Sequence, residues 1–361
     1  MQSEELKYWL WWNRVPGIGS SRFFKLLEEF GSMEEAWNAS SDQLSQLIGV
    51  KNVNYKLKTQ VWDPEVELKK IERRGFRIYC FSDPKYPPLL KKIADPPPLL
   101  YAWGGFEYGD DMAIAIVGTR NPSPQGEYTA RDLAVNLSYQ GLTVVSGMAR
   151  GIDSQAHQGA LEANGRTVAV LGCGVDIVYP AENQRLMEQI AAHGVVISEY
   201  ALGTKPHAAN FPARNRIISG LSLGVVVVEA AEDSGSLITA GFAAEQGREV
   251  FAVPGNIGND GSKGPHKLIR QGAKLIENFG DVLDELAIPR LEAAEVAAAL
   301  VQSEDPTEQQ VLETMSREPL HIDQILRRSG VGSATLNVVL INLELQGIVK
   351  RFPGQLYIRI K

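Results

Sequence analysis

Residues 113–172 read AIAIVGTRNPSPQGEYTARDLAVNLSYQGLTVVSGMARGIDSQAHQGALEANGRTVAVLG. Three short apolar runs, AIAIVG, LTVVSG and TVAVLG, alternate here with two stretches of amphipathic helical pattern. Apolar, β-branched runs without polar alternation are typical of strands that are buried on both faces of a parallel sheet. The segment therefore predicts strand–helix–strand–helix–strand, which is the repeating unit of a doubly wound α/β domain.

The same alternation continues to about residue 287. The further apolar runs are VVISEY at 195–200, LGVVVVEA at 223–230, EVFAVPG at 249–255 and AKLIE at 273–277. We therefore predict that residues 86–287 form one extended Rossmann-like domain around a doubly wound, mostly parallel sheet.

A helical domain is predicted for residues 1–85. Its VPGIG sequence at 15–19 precedes the amphipathic stretch SRFFKLLEEF and is typical of a turn in a helix-hairpin-helix or SAM-like domain. Such a turn can bring backbone amides close to a phosphate, or it can serve only to join two helices, and the sequence leaves both interpretations open. The proline-rich segment 86–105 follows, and the next strand is expected near Ala113.

The C-terminal part has a different pattern. Residues 288–306 are alanine-rich and acidic and are predicted to form a linker. Residues 307–361 show helix, turn, helix and then a β-hairpin around Pro353-Gly354, which predicts a winged-helix domain of the DML1-like kind.

Composition favours a cytoplasmic globular protein. Hydrophobic residues make up 44% and charged residues 22% of the sequence, and no long apolar run or basic signal peptide is present. The two cysteines, Cys80 and Cys173, are too few for a disulfide framework or a zinc site. The net charge is −7, and residues 91–290 alone carry −6. A phosphate-binding site in this region must therefore depend on local basic groups and backbone amides rather than on a general positive field.

Small residues follow nearly every predicted strand. These turns contain Gly118-Thr119-Arg120, Ser146-Gly147, Arg150, and Gly235-Ser236. In doubly wound sheets ligands bind beyond the carboxyl ends of the strands, and arginine is a fork-shaped partner for phosphate. Each glycine alone indicates only a tight turn, whereas together they predict an anion-binding rim.

An ordinary nucleotide cofactor is not predicted. The turn after the first parallel strand has Pro122 where a dinucleotide fingerprint needs glycines, and no glycine loop carries a Walker A lysine. Asp153 and His157 lie four residues apart, but the first is interpreted as a helix N-cap and the second as a surface residue. Because the five histidines form no ligand pattern, we expect neither a metal site nor catalysis.

The segment HAANFPARNRIISGLS, residues 207–222, places Phe211 beside two arginines. An exposed phenylalanine near guanidinium groups suits single-stranded nucleic acid, because bases stack on the ring while arginines contact phosphates. The alternative is that Phe211 fills the core and Arg214 pairs with a carboxylate such as Glu229. Asn215 and Arg216 can equally be buried partners of the loops.

These blocks, in this order over about 180 residues, resemble the DNA-processing protein A (DprA/Smf) family. The resemblance implies binding of single-stranded DNA, homodimer formation, and loading of the RecA recombinase on incoming DNA in natural transformation. Some relatives have a lysine three residues before the phenylalanine, where this chain has Ala208, and Lys205 and His207 are the nearest substitutes. The residues predicted to bind DNA are Gly118, Thr119, Arg120, Ser146, Gly147, Arg150, Lys205, His207, Phe211, Arg214, Asn215, Gly235, Ser236 and Lys267.

Two alternatives remain at the level of sequence. A nucleotide phosphoribohydrolase has a similar Rossmann variant, but it uses a G-G-x-G-T loop where this chain has Gly235-Ser236-Leu237-Ile238-Thr239. The other alternative is a non-catalytic scaffold whose winged helix binds partner proteins.

Overall fold

The computed structural model describes residues 3–49, 53–54, 62–291, 306–315, 320–345, 348–352 and 355–359. The chain divides into two compact units, Met1–Ile288 and Pro289–Lys361. Most of the predicted linker and the predicted hairpin turn at Pro353-Gly354 lie outside the described residues. Within the described part of the chain, no helix has both the length and the apolar character that crossing a bilayer requires.

A nine-stranded sheet forms the centre of the first unit. Its strand order is β1-β2-β6-β5-β4-β3-β7-β8-β9, and the seven strands from β6 to β9 along this order are parallel. The strands are β1 Phe76–Cys80, β2 Leu99–Gly104, β3 Ala113–Val117, β4 Thr143–Ser146, β5 Thr167–Val170, β6 Val195–Ser198, β7 Gly224–Val227, β8 Glu249–Ala252 and β9 Lys274–Leu275.

Helices cover both faces of this sheet. Alternate residues of β3 belong to different core clusters: Ala113 and Ala115 pack on one face, while Ile114 and Ile116 pack on the other. This explains why the strand has no polar residues. The helices after the first strand pair are α6 Pro124–Tyr139, α7 Ile152–Glu162, α8 Gln184–His193, α9 Asn210–Gly220, α10 Gly235–Glu245, α11 Asp260–Arg270 and α12 Phe279–Glu285.

The N-terminal helices share a core with the first two strands. Trp9, Trp12 and Phe23 pack in one cluster with Leu99 and Tyr101 of β2. The helices are α1 Ser3–Arg14, α2 Ser20–Phe30, α3 Met33–Asn38, α4 Ser41–Ile48 and α5 Pro64–Arg73.

The predicted doubly wound sheet is confirmed, but two strands were missed. β1 lies inside the stretch predicted to be helical, and β2 lies in the proline-rich segment, well before Ala113. Both pair antiparallel, β1 with β2 and β2 with β6, and so extend the parallel sheet at one edge. Pro96–Pro98 concealed β2, because prolines just before a strand are compatible with it although they exclude helix.

The second unit is a small helical bundle with a three-stranded antiparallel sheet. The order of its strands is β10-β12-β11, and Ile325, Leu336, Leu340 and Tyr357 contribute to its core. Its elements are α13 Pro306–Leu312, β10 Leu320–His321, α14 Ile322–Ser329, α15 Ser333–Leu345, β11 Val349–Phe352 and β12 Leu356–Arg359. This is the predicted winged-helix arrangement.

Gly194, between α8 and β6, provides a test of how tightly the sheet is packed. A Cβ at this position would lie 2.1 Å from the Thr167 carbonyl oxygen of the neighbouring strand. We expect Gly194→Ala to lower the free energy of unfolding by roughly 1–3 kcal/mol, because neighbouring backbone must shift. The measurement is the urea midpoint followed by circular dichroism.

Gly241→Ala is the matched control for this substitution. Gly241 lies exposed inside α10, and a Cβ there would meet no atom within 4 Å. Alanine should stabilise the helix by up to about 1 kcal/mol. Equal effects of the two substitutions would contradict the tight packing at Gly194.

Candidate nucleic-acid interface

The main cleft of the first unit lies where the strand order reverses. It has a volume of about 680 Å³ and is lined by residues that follow β3, β4 and β7 together with the first turns of α9. β3 pairs with β4 on one side and with β7 on the other. The strands that follow β3 in the chain are therefore added first on one side of it and later on the other. This is the position at which open α/β sheets bind their ligands.

The turn after β3 supplies an exposed cation. Arg120 lines the cleft, and among the described residues no carboxylate forms an ion pair with it. Thr119 donates its backbone N–H to the Glu229 carbonyl oxygen at 2.7 Å, which fixes the turn. Gly118 allows this close approach, since a Cβ there would lie 2.6 Å from Ile152.

Phe211 presents its ring beside that cation. The Arg120 guanidinium carbon lies 5.6 Å from the ring centroid. Phe211 lies in the first turn of α9. Asn210 anchors this turn by donating to the Gly172 carbonyl oxygen at 3.0 Å. The ring remains half-buried and lines the cleft, so the alternative of a Phe211 fully enclosed in the core is wrong.

Tyr179 is a cleft residue that the sequence analysis missed. Its ring centroid lies 5.5 Å from that of Phe211, and 40% of the side chain is exposed. The two aromatic side chains share one sequence feature, because Tyr179 precedes Pro180 as Phe211 precedes Pro212. That signal was available, but a tyrosine before a proline is too common to identify a site alone.

Arg214 has a role other than the predicted contact with phosphate. It is 5% exposed and donates through Nη1 to the carbonyl oxygens of Gly147, at 2.8 Å, and Val170. Burial lowers its pKa to about 10, so the guanidinium still carries its charge at neutral pH. Asp153 provides the opposite charge, whereas the Glu229 carboxylate accepts from Ser123. The alternative from the sequence was that Arg214 pairs with a carboxylate such as Glu229; the carboxylate that acts on its charge is Asp153 instead.

Asp153 and His157 also differ from their interpretations. Asp153 lies inside the first turn of α7, and its carboxylate accepts from the backbone N–H of Gly147 at 3.1 Å instead of capping the helix. Burial raises its pKa. His157 is completely buried, and its Nδ1 lies 2.7 Å from the Thr167 hydroxyl oxygen. Both residues hold the strand ends in place, and neither is on the surface.

Asn215 and Arg216 act as buried partners of the loops. Asn215 donates to the Gly235 carbonyl oxygen at 3.2 Å and connects α9 with the start of α10. Arg216 binds Glu199 through two hydrogen bonds of 2.8 Å and also pairs with Asp95. Of the two interpretations left open by the sequence, the buried role describes Arg216, while Asn215 also lines the cleft.

The other predicted site residues divide between the cleft and places outside it. Gly235 and Ser236 line the cleft, whereas Ser146 is buried and donates to the Ile116 carbonyl oxygen at 2.6 Å. Exposed Arg150 borders a small adjoining pocket and pairs with Glu182. Lys205 and His207 are exposed on the segment before α9, although the cleft lining includes only their neighbours Pro206 and Ala208. Lys267 lines a separate pocket beside β8 and is not part of this site.

No group of three potential metal-ligating side chains occurs among the residues that the structure describes. The cleft lining includes the Arg120 guanidinium, which has no carboxylate partner among the described residues, and the aromatic rings of Phe211 and Tyr179. These groups are suited to an anionic ligand with a flat ring, because phosphate binds the guanidinium while a base stacks on the phenyl group.

The sheet and its cleft define a Rossmann-like protein whose switch point is arranged for a phosphate-bearing, stackable ligand. Residues 77–287 match the family model described as DNA recombination-mediator protein A, and residues 292–355 match the DprA winged helix domain. The chain therefore belongs to the DNA-processing protein A (DprA/Smf) family.

Individual relatives agree with this assignment. Protein Smf of Synechocystis is 35% identical over 99% of this chain and 100% of its own length. The crystal structure of DprA from Streptococcus pneumoniae matches with a TM-score of 0.69 and 37% identity, covering 77% of this chain and 97% of that one. DprA from Helicobacter pylori, described for its single-stranded DNA binding mode, matches with a TM-score of 0.54 and 30% identity over 60% of this chain and 97% of that one.

His157 makes stability depend on pH. Burial and the nearby charge of Arg214 lower its pKa to about 3, from about 6.5 in an unfolded chain. The unfolded chain therefore binds more protons between these values, so the contribution of His157 is complete above about pH 6.5 and is lost as the pH falls towards 3. We expect His157→Asn, which keeps a donor near Nδ1 but does not titrate, to reduce the fall in stability between about pH 7 and 5.

Urea midpoints at the two pH values measure this effect. His193→Asn is the control, because His193 is exposed on α8, and this variant should keep the wild-type dependence on pH. If His157→Asn also kept it, His157 would not be the buried neutral group described above.

Proposed function

We propose that this protein binds single-stranded DNA in the cleft at the switch point and acts without catalysis. The observation that carries the proposal is the unpaired Arg120 guanidinium 5.6 Å from the half-exposed Phe211 ring. A phosphate can bind Arg120 while the adjoining base stacks on Phe211, and neither contact depends on base identity. Membership of the DprA/Smf family and the single-stranded DNA binding of the Helicobacter pylori relative support this assignment.

We further propose that the protein acts as a cytoplasmic homodimer that protects incoming DNA and loads RecA on it during natural transformation or recombination. The family assignment supports this role. The cytoplasmic assignment is compatible with Cys80 and Cys173, which are buried free thiols.

The phosphoribohydrolase alternative has little support in the geometry. Residues 235–245 form the single helix α10, with Gly235 at its start and Glu245 at its end. At 1.5 Å per residue, about 15 Å of helix separates the glycine from this glutamate. Enzymes of that group use a glutamate near the glycine loop to cleave a glycosidic bond, and Glu245 lies too far from Gly235 for this role.

Arg120→Ala and Phe211→Ala should affect DNA binding differently. Removing Arg120 should lower affinity for oligo-dT and also reduce the dependence of log K on log salt by about 0.7, since one phosphate contact is lost. Removing the Phe211 ring should cost about 1–3 kcal/mol of binding free energy and leave the salt dependence nearly unchanged. Fluorescence anisotropy titrations at several salt concentrations measure both quantities.

Two controls make this comparison specific. Arg73→Ala removes an exposed arginine in the last turn of α5, outside the cleft lining, and should change little. Gly172→Ala keeps Phe211 but places a Cβ 2.9 Å from its ring, so it should behave as a weaker form of Phe211→Ala. Wild-type affinity in both cleft variants would contradict the proposed site, and release of adenine from AMP would favour the enzyme.

The winged-helix unit supports a protein contact more than the reading of duplex DNA. Its helix α15, SATLNVVLINLEL, contains no lysine or arginine. Val338 and Ile341 are 59% and 56% exposed and lie three residues apart on one face. Recognition helices that enter the major groove commonly use lysine or arginine to bind phosphates and guanine, and α15 has neither.

We therefore expect the double substitution of Val338→Asp and Ile341→Asp to leave the affinity of the whole protein for duplex DNA unchanged. Two added carboxylates would repel the phosphates of any duplex bound against this helix. Electrophoretic mobility shifts with a duplex oligonucleotide measure the effect. A clear loss of duplex binding by a folded variant would show that α15 does contact DNA.

A further inference from the structure

The helix that follows the central strand of a doubly wound sheet normally has a ligand at its N-terminus. In dinucleotide-binding folds the pyrophosphate lies there, since unpaired backbone N–H groups and the helix dipole both favour an anion. The equivalent helix here is α6, which follows β3 at the switch point.

A carboxylate of the protein itself lies at this position. Glu229, just after β7, accepts from the Ser123 backbone N–H through Oε2 at 2.9 Å and from the Ser123 hydroxyl through Oε1 at 2.5 Å. Ser123 is the N-cap of α6, and its hydroxyl oxygen accepts from the Gly126 N–H at 3.0 Å. The glutamate is therefore joined directly to the start of the helix.

The glycine in the first turn of α6 is shaped around this carboxylate. A Cβ at Gly126 would lie 2.5 Å from Glu229 Cδ and 2.6 Å from Oε2, so a larger residue would push the carboxylate out. Glycines in nucleotide-binding loops have the same role, because they let backbone approach the pyrophosphate. Here the close approach serves an internal anion.

A second helix begins beside the same group. Gly261 is in the first turn of α11, and a Cβ there would lie 3.4 Å from Glu229 Oε2. The Ala230 N–H donates to the Gly261 carbonyl oxygen at 2.7 Å, which holds this helix against the end of β7. The positive ends of two helix dipoles thus face one carboxylate.

We propose that Glu229 is a built-in anion that fills the nucleotide-phosphate position of the Rossmann-like sheet and so excludes nucleotide cofactors. This role is separate from the proposed DNA binding, because the Glu229 carboxylate binds Ser123 at the start of α6 and Glu229 is not among the residues that line the cleft; only its backbone carbonyl contacts the lining, at Thr119. Glu229 thereby determines specificity: with the helix termini already neutralised, Arg120 is left as the anion-binding group of the cleft.

Replacing Glu229 by alanine should reopen the phosphate position. We expect Glu229→Ala to be less stable than its parent in chloride buffer and to recover in inorganic phosphate with a saturable rise in Tm. At concentrations about tenfold above Kd, a rise of about 2–3 °C is expected for a unit of this size. All variants in this experiment, including the parent, also carry Arg120→Ala, so that phosphate bound at the cleft does not contribute to the change in Tm. Differential scanning fluorimetry at matched ionic strength is the measurement, and ADP is the second probe.

Glu229→Gln is the matched control, because its amide fills the same space and still accepts from Ser123. It should show no saturable response to phosphate. If alanine and glutamine variants respond alike, or if the alanine variant is destabilised and phosphate does not restore it, Glu229 is only a helix cap and the proposal is wrong. Should Glu229→Ala fail to fold in chloride, a higher refolding yield in phosphate than in chloride is the supporting result, and equal yields overturn the proposal.

Discussion

The buried guanidinium of Arg214 connects the parts of the binding cleft. It reaches from α9 to the carbonyl oxygens of Gly147, after β4, and Val170, at the end of β5. Asp153 balances its charge and also accepts from the Gly147 N–H. Because a buried charge that loses its partner is very costly, these groups must be kept together, and the position of α9 is fixed with them. Phe211, one turn before Arg214 on the same helix, therefore has a defined place at the cleft.

This arrangement explains what the sequence could predict about the fold and the site. The seven parallel strands were predicted because each lies in a short, mostly apolar run that alternates with a helical pattern. Because the strands are parallel, their carboxyl ends lie at one edge of the sheet. β2 was missed because the prolines just before it were interpreted as part of a linker between domains. The burial of Arg214 and His157 could not be predicted, because arginine and histidine occur both at surfaces and, when they have partners, in cores. Only the tertiary structure shows that Arg214, in α9, is buried and that Arg120, just after β3, is exposed to solvent.

The domain carries a net negative charge, yet its cleft can still bind an anion because the nearby carboxylates are paired within the protein. Carboxylates close to the site already have partners: Glu182 pairs with Arg150, Glu199 with Arg216, and Glu229 with the start of α6. Because each negative charge lies next to a positive charge or a helix N-terminus, the carboxylates repel a phosphate in the cleft only weakly. Arg120 differs from the neighbouring arginines in lacking a carboxylate among the described residues, and so its charge remains available to a ligand.

A single available guanidinium limits how strongly one cleft can hold a charged polymer. Ala208 lines the cleft and contributes no charge to it. Stacking on Phe211 must therefore carry a larger share of the binding free energy, and each protomer should hold only a few nucleotides firmly. Two such clefts in one dimer would act on the same strand, and the second contact would form at a high effective concentration. Weak individual clefts are thus compatible with tight binding of long DNA by the proposed homodimer.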